Sequence, residues 1–223
     1  MNIDLGEYQN NNHLISPLEI KFPKFTPKLN LAVMASGEGS NFEALVHATR
    51  GKLLDATISI LIVNNPNCNA INKAKKLNVP FTIINHKEYR NREQLDCEII
   101  NRLKNLSIDG IIMAGWMRIV TNVLIKAYPD RIINIHPSLL PSFPGINAIE
   151  QALKEKVCIT GCSVHLVREK VDNGPILIQA AVPVLTSDNK ITLSRKIQIQ
   201  EHRILPIGVS IAGQNWRHMK SYG

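Results

Sequence analysis

"LNLAVMASGEGSNFEALVHATR", residues 29–50, joins an apolar run to an amphipathic segment through a loop of small residues. The apolar run is strand-like, and the segment after Ser36-Gly37-Glu38-Gly39-Ser40-Asn41 has helical spacing from about Asn41. Small residues at that junction let backbone N–H groups approach an anion, and a helix N-terminus adds positive potential. The loop therefore reads as a phosphate site. A dinucleotide fingerprint would need a third glycine where the chain has Phe42, and an acidic residue where it has Asn64-Asn65. A plain tight turn is the alternative for the loop taken alone.

The same alternation continues downstream. TISILIVNN (57–65) precedes AINKAKKLN, and PFTIINH (80–86) precedes REQLDCEIINRLKN. DGIIMAGW (109–116) precedes TNVLIKAY, and RIINIH (131–136) precedes NAIEQALKEK. Five strand–helix repeats predict an α/β fold with a mainly parallel sheet. The rhythm then changes: GCSVHLVRE (161–169) and PILIQAAVPVL (175–185) are separated only by KVDNG, which predicts an antiparallel pair. A last helix is expected over roughly 188–212, kinked or interrupted near Pro206. Residues 1–28 are polar and then proline-spaced, without sustained periodicity, and are expected to form a poorly ordered extension outside a domain spanning 29–223.

Composition narrows the function classes. With 44% hydrophobic and 20% charged residues in 223, the chain has globular composition, and no apolar run reaches the ~20 residues of a membrane span. The N-terminus lacks the basic and apolar regions of a secretory signal, so a cytoplasmic address is expected. Four scattered cysteines do not form a disulfide framework. Cys158, Cys162 and His165 have a spacing that invites a metal, but no fourth ligand stands nearby, and no metal is expected. The net charge of +8 is not interleaved with aromatics, which make up only 5%, so an anionic small molecule is favoured over nucleic acid.

"INIHPSLLPSFPG" (133–145) carries the chemistry. In an extended segment Asn134 and His136 share one face while Ile133 and Ile135 take the other. Pro137 ends the strand, which leaves His136 at the carboxyl rim of the sheet, where open α/β folds bind ligands. "VDNGP" (171–175) adds Asp172 from a later loop. An amide donor, an imidazole and a carboxylate are the parts needed to stabilise an oxyanion and move a proton.

NIHPSLLPSFPG, the aspartate of VDNGP 36 positions after its histidine, and SGEGSN on the first loop together resemble the phosphoribosylglycinamide formyltransferases, folate-dependent enzymes of purine synthesis. The resemblance covers the chain from about Leu29 to the last helix. It implies a Rossmann-like open sheet with helices on both faces and a C-terminal antiparallel addition. It also implies transfer of a formyl group from 10-formyltetrahydrofolate to the amine of 5-phosphoribosylglycinamide. By that resemblance Asn134, His136 and Asp172 are catalytic. Gly39, Ser40, Asn41, Gln198 and Glu201 would bind the phosphorylated substrate. Arg92, Met117, Arg118, Ile119, Val120, Asn134, Arg168 and Asp172 would bind the folate, with residues 168–172 as a mobile loop. Trp116 would line the folate pocket or the core, and His165 would give a supporting hydrogen bond. The implied partners are small molecules, with no nucleic acid or membrane, and the implied assembly is a monomer or homodimer.

Two relatives fit less well. Formyltetrahydrofolate deformylases resemble this chain but carry a longer N-terminal regulatory domain and a second histidine where this chain has Pro137. Transfer RNA formyltransferases carry a further C-terminal domain. A silent nucleotide- or RNA-binding module is the alternative of a different class, and it would need no combination of Asn134, His136 and Asp172.

Overall fold

The computed structural model describes residues 14–17 and 22–220. Its described elements, in chain order, are β1 (Ile15–Ser16), β2 (Leu29–Ala35), α1 (Ser40–Arg50), β3 (Ala56–Val63), α2 (Ala70–Lys76) and β4 (Phe81–Ile83). There follow α3 (Arg92–Leu103), β5 (Gly110–Met113), α4 (Asn122–Ala127), β6 (Ile132–His136), α5 (Ala148–Lys154), β7 (Ile159–Leu166), β8 (Ile176–Pro183) and α6 (Lys190–Lys220). The strands form one sheet in the order β1-β8-β7-β6-β5-β2-β3-β4. From β6 to β4 every pairing is parallel, whereas β7, β8 and β1 are added antiparallel.

The two faces of the sheet bury different helices. Leu31, Val33, Ile112, Ile133 and Ile135 pack with Phe42 and Leu45 of α1 and with Leu193, Ile204 and Trp216 of α6. Ala32, Met34, Ile62, Ile111 and Met113 pack with Leu95, Ile99 and Leu103 of α3 and Leu124 of α4. The period-two alternation of the strands thus becomes two apolar layers around a sheet buried on both sides, as parallel sheets require.

Helix α6 departs from expectation. It is continuous through Pro206 and extends eight residues past the expected end at 212. The proline costs one helical hydrogen bond, but its surroundings, Ile204, Leu205, Ile207 and Val209, are fully buried and hold the helix against the sheet. Its last turns are tied down as well: Trp216 Nε1 donates to the Asp130 carbonyl at 2.7 Å, and Arg217 grips Asp109 at 3.0 Å. Trp216 lies so close to β5 that a Cβ at Gly110 would come within 2.1 Å of its ring.

Part of the segment before Leu29 packs on the domain. Ile15 is buried and pairs with Ala180, placing β1 on the outer edge of β8. Phe25 is buried in the α6-side core, and its N–H donates to Asp55 Oδ2 at 2.7 Å. Arg217 Nη2 donates to the carbonyls of Pro27 and Lys28 at 2.8 and 2.9 Å. Among the described residues, no helix is long and apolar enough to cross a membrane.

Phe25→Ala removes a ring from this core, and the expected loss is about 3–5 kcal/mol of unfolding free energy, read from urea denaturation. A change below about 1 kcal/mol would mean that the segment carries little of the stability.

Candidate active site

The parallel strands β2, β5 and β6 end side by side, and their carboxyl ends carry three loops. The loop after β2 is joined to the loop after β5: Ser36 N–H donates to Gly115 O at 3.0 Å, and Met117 N–H donates to Ser36 Oγ at 2.8 Å. β6 ends on His136, immediately before Pro137.

On the first loop, Gly39 has φ 69° and precedes α1, and a Cβ there would approach the Ala70 Cβ to 2.7 Å. Both the left-handed backbone and the close packing of α2 require glycine. No side chain caps the α1 N-terminus among the described residues, so first-turn N–H groups remain for a guest. Helix α6 brings two predicted residues to this point. Gln198 Nε2 donates to Ser40 Oγ at 2.9 Å, and Asn41 Nδ2 donates to Glu201 Oε2 at 3.0 Å. Burial pushes the Glu201 carboxyl above its ordinary range, and the Asn41 hydrogen bond opposes that rise. Asn41 Oδ1 is buried without a partner. Gly39, Ser40, Asn41, Gln198 and Glu201 are therefore gathered at one helix end.

The second group is centred on Asp172, whose φ is 50° and whose side chain is 9% exposed. Gly145 N–H donates to its Oδ2 at 2.8 Å. His136 Nδ1 lies 3.3 Å from the same oxygen, and His165 Nε2 lies 3.5 Å from Oδ1. Asn134 Nδ2 donates to Oδ1 at 3.3 Å. Asn134, His136 and Asp172 therefore meet, and Ile133 and Ile135 lie in the α6-side core, as strand alternation predicts.

The two histidines are held differently. His136 Nε2 lies 2.8 Å from the Phe143 carbonyl, so both ring nitrogens face acceptors, and only the doubly protonated ring hydrogen-bonds both. His165 Nδ1 lies 2.9 Å from the Leu166 carbonyl, and its Nε2 is 3.2 Å from Asn134 Nδ2. In the Nδ1–H tautomer His165 accepts from Asn134; doubly protonated, it faces Asp172 with a donor instead. Sequence reading gave His165 only a supporting bond. Its pairing with Asn134 across the β6–β7 ladder is a long-range contact that no local pattern signals.

Burial acts to raise the Asp172 carboxyl, but hydrogen bonds from His165 and Gly145 and the charges of His136 and His165 outweigh it, and the group is held below the ordinary carboxylate range. The backbone of its loop is tightly folded: a Cβ at Gly174 would meet the Leu166 carbonyl at 1.7 Å.

The predicted folate residues are placed less uniformly. Met117 and Ile119 are 77% and 51% exposed on the loop after β5, as an apolar surface would be that awaits a flat ring. Val120 is buried, and Arg118 is partly buried with Nε unpartnered. Arg92 is exposed at the start of α3. Arg168 is not brought to the cluster, because its guanidinium is bound by Asp130, beyond the opposite end of β6. Trp116 is buried in the α3-side core with its indole N–H unpartnered. Asp96 was not singled out in the sequence; it is buried on α3 and accepts from the Thr121 N–H at 2.6 Å, which anchors the far end of the same loop. Cys158 is exposed and Cys162 buried, with burial pushing the Cys162 thiol well up.

Residues 29–209 match the formyl transferase family model, and the chain belongs to that family. Among known proteins it is similar to the trifunctional purine biosynthetic protein adenosine-3 of Homo sapiens, 44% identical over 184 residues, 82% of this chain and 18% of that protein. The chain thus spans under a fifth of the trifunctional relative. It also resembles the phosphoribosylglycinamide formyltransferase of Bacillus subtilis, 39% identical over 175 residues, 78% of this chain and 90% of that one. The crystal structure of glycinamide ribonucleotide transformylase 1 from Symbiobacterium toebii superposes with a TM-score of 0.83 at 35% identity, covering 86% of this chain and 90% of that one.

Because the native Asp172 carboxyl lies below its unfolded value of about 4, its contribution to stability is present above that pH and is lost as pH falls through the native value. The stability gap between the parent and Asp172→Asn should therefore be widest near neutral pH and shrink below about pH 4, as measured by urea denaturation at several pH values. A gap independent of pH would contradict this.

Proposed function

We propose that the chain transfers the formyl group of 10-formyltetrahydrofolate to the glycine amine of 5-phosphoribosylglycinamide, releasing tetrahydrofolate and the N-formyl product in de novo purine synthesis. The observation that carries the reading is the convergence of Asn134 and His136, at the end of β6, on the buried carboxylate of Asp172 from the β7–β8 loop. The relatives' names support the choice of substrates.

In this reading the phosphate is held by the α1 N-terminus with Gly39, Ser40 and Asn41, and Gln198 and Glu201 face the rest of the phosphorylated substrate. The folate lies along Met117–Val120, with its reactive nitrogen toward Asn134. Arg92 stands at the outer rim, and Arg168 contributes through its backbone in the Asp172 loop. The catalytic unit runs from Leu29, and it needs no metal ion and no nucleic acid for this chemistry.

The substrate amine attacks the formyl carbon, forming a C–N bond and placing negative charge on the formyl oxygen. Protonated His136 donates to that oxygen after exchanging the Phe143 carbonyl for it. Asn134 supplies a second donor by turning toward that oxygen the Nδ2–H that lies 3.2 Å from His165 Nε2. Asp172 favours the imidazolium of His136 by charge and accepts the proton of the attacking amine. Collapse of the intermediate breaks the carbon–N10 bond, and the proton passes to N10.

The test mixes the protein with 10-formyltetrahydrofolate, with and without phosphoribosylglycinamide, and follows the folate absorbance. Turnover should depend on the amine; equal deformylation without it would point to hydrolysis and sink the transferase reading. His136→Ala should lower kcat about 10²–10³-fold with KM nearly unchanged.

A further inference from the structure

The imidazole of His136 is held by a carbonyl on the loop that follows it, and that loop is braced from a strand two places away in the sheet. We propose that Gln179 on β8 is a positioning residue for His136, acting by hydrogen-bond donation and not by bulk. Its Nε2 donates to the Leu140 carbonyl at 3.0 Å and to Ser163 Oγ at 2.8 Å. Ser163 Oγ also accepts from the Leu140 N–H at 3.0 Å, and it donates to the Ser138 carbonyl at 2.7 Å.

The Ser163 hydroxyl is thereby saturated. A serine oxygen has one proton and two lone pairs, and Gln179 and Leu140 occupy both lone pairs. The single proton is left to point at the Ser138 carbonyl. Ser138 in turn donates through Oγ to the Ser142 carbonyl at 2.5 Å, with the Phe143 carbonyl at 3.4 Å. Phe143, at φ 53°, presents to His136 Nε2 the carbonyl 2.8 Å away. Gln179 therefore orients the Ser163 hydroxyl, and the two together brace Ser138 and Leu140, the start of the loop whose Phe143 carbonyl faces the imidazole. Ser138 and Ser163 are fully buried and no water is needed in the chain, so a reversed donor cannot be compensated locally.

Two near-isosteric variants separate donation from bulk. Gln179→Met keeps the volume and removes both donors. Gln179→Glu keeps the shape and replaces donors by acceptors; it draws the Ser163 proton away from Ser138 and sets a carboxylate against the Leu140 carbonyl. The primary readout is the imidazole nitrogen spectrum of His136 in ¹⁵N-labelled protein, assigned with His136→Ala, which requires no substrate. Both variants should move the His136 resonances, with Glu having the larger effect. The inference rests on the proposed transfer reaction only for its kinetic consequence, a kcat lowered about tenfold by Gln179→Met with KM within about twofold. A moved His136 spectrum in a protein that transfers no formyl group would uphold the positioning role and remove the proposed function. An unmoved spectrum in both folded variants overturns the positioning role. So does failure of both variants to fold, since Gln179 would then be a residue of the core.

Discussion

One nearly buried carboxylate organises the active end of this protein. Asp172 carries a charge where solvent cannot compensate it, so the surrounding chain must do so with donors: a backbone N–H from Gly145, the amide of Asn134, and the rings of His136 and His165. Those groups come from β6, from the loop after it and from β7, and the requirement to meet one carboxylate fixes their mutual positions. A sheet that is parallel up to β6 and antiparallel beyond it makes the meeting possible. The reversal at β6–β7 puts His165 opposite Asn134 and lets the β7–β8 loop fold back over the same face.

The α1 end follows a different logic. It offers a glycine in a left-handed conformation, an uncapped helix start and two side chains carried in by α6, one of them the buried carboxyl of Glu201. Under the proposed function, backbone dipoles there would attract an anion without a full opposing charge. Asn41 pairs with Glu201 and leaves its side-chain Oδ1 unpartnered.

The strands were legible because each is an apolar run of a length and alternation that only a doubly covered sheet accepts; the Asn134–His136 face followed from period two alone. Asp172 and the SGEGSN loop were found through family resemblance added to residue chemistry. Other features were invisible for physical reasons. A two-residue strand such as β1 has no periodicity to detect, and Phe25 is a single apolar residue among prolines. Pro206 signals a helix break by local propensity, but burial along α6 outweighs it. The guanidinium of Arg168 turns to Asp130, a choice between distant partners that no local pattern contains. The same holds for Gln179, whose partners lie 16 and 39 positions away.

The clasp between the two ends of the chain has a consequence for how the molecule is made. Arg217 holds the carbonyl of Pro27, 190 positions earlier, and β1 can pair only after β8 exists. At ribosomal speeds of about 5–20 residues per second, Pro27 waits about 10–40 s for Arg217. During that interval Ile15 lacks its partner strand and Phe25 lacks the α6 part of its core, so this segment is placed late. A nascent chain paused before β8 would be a sheet in which β1 has no strand to pair with.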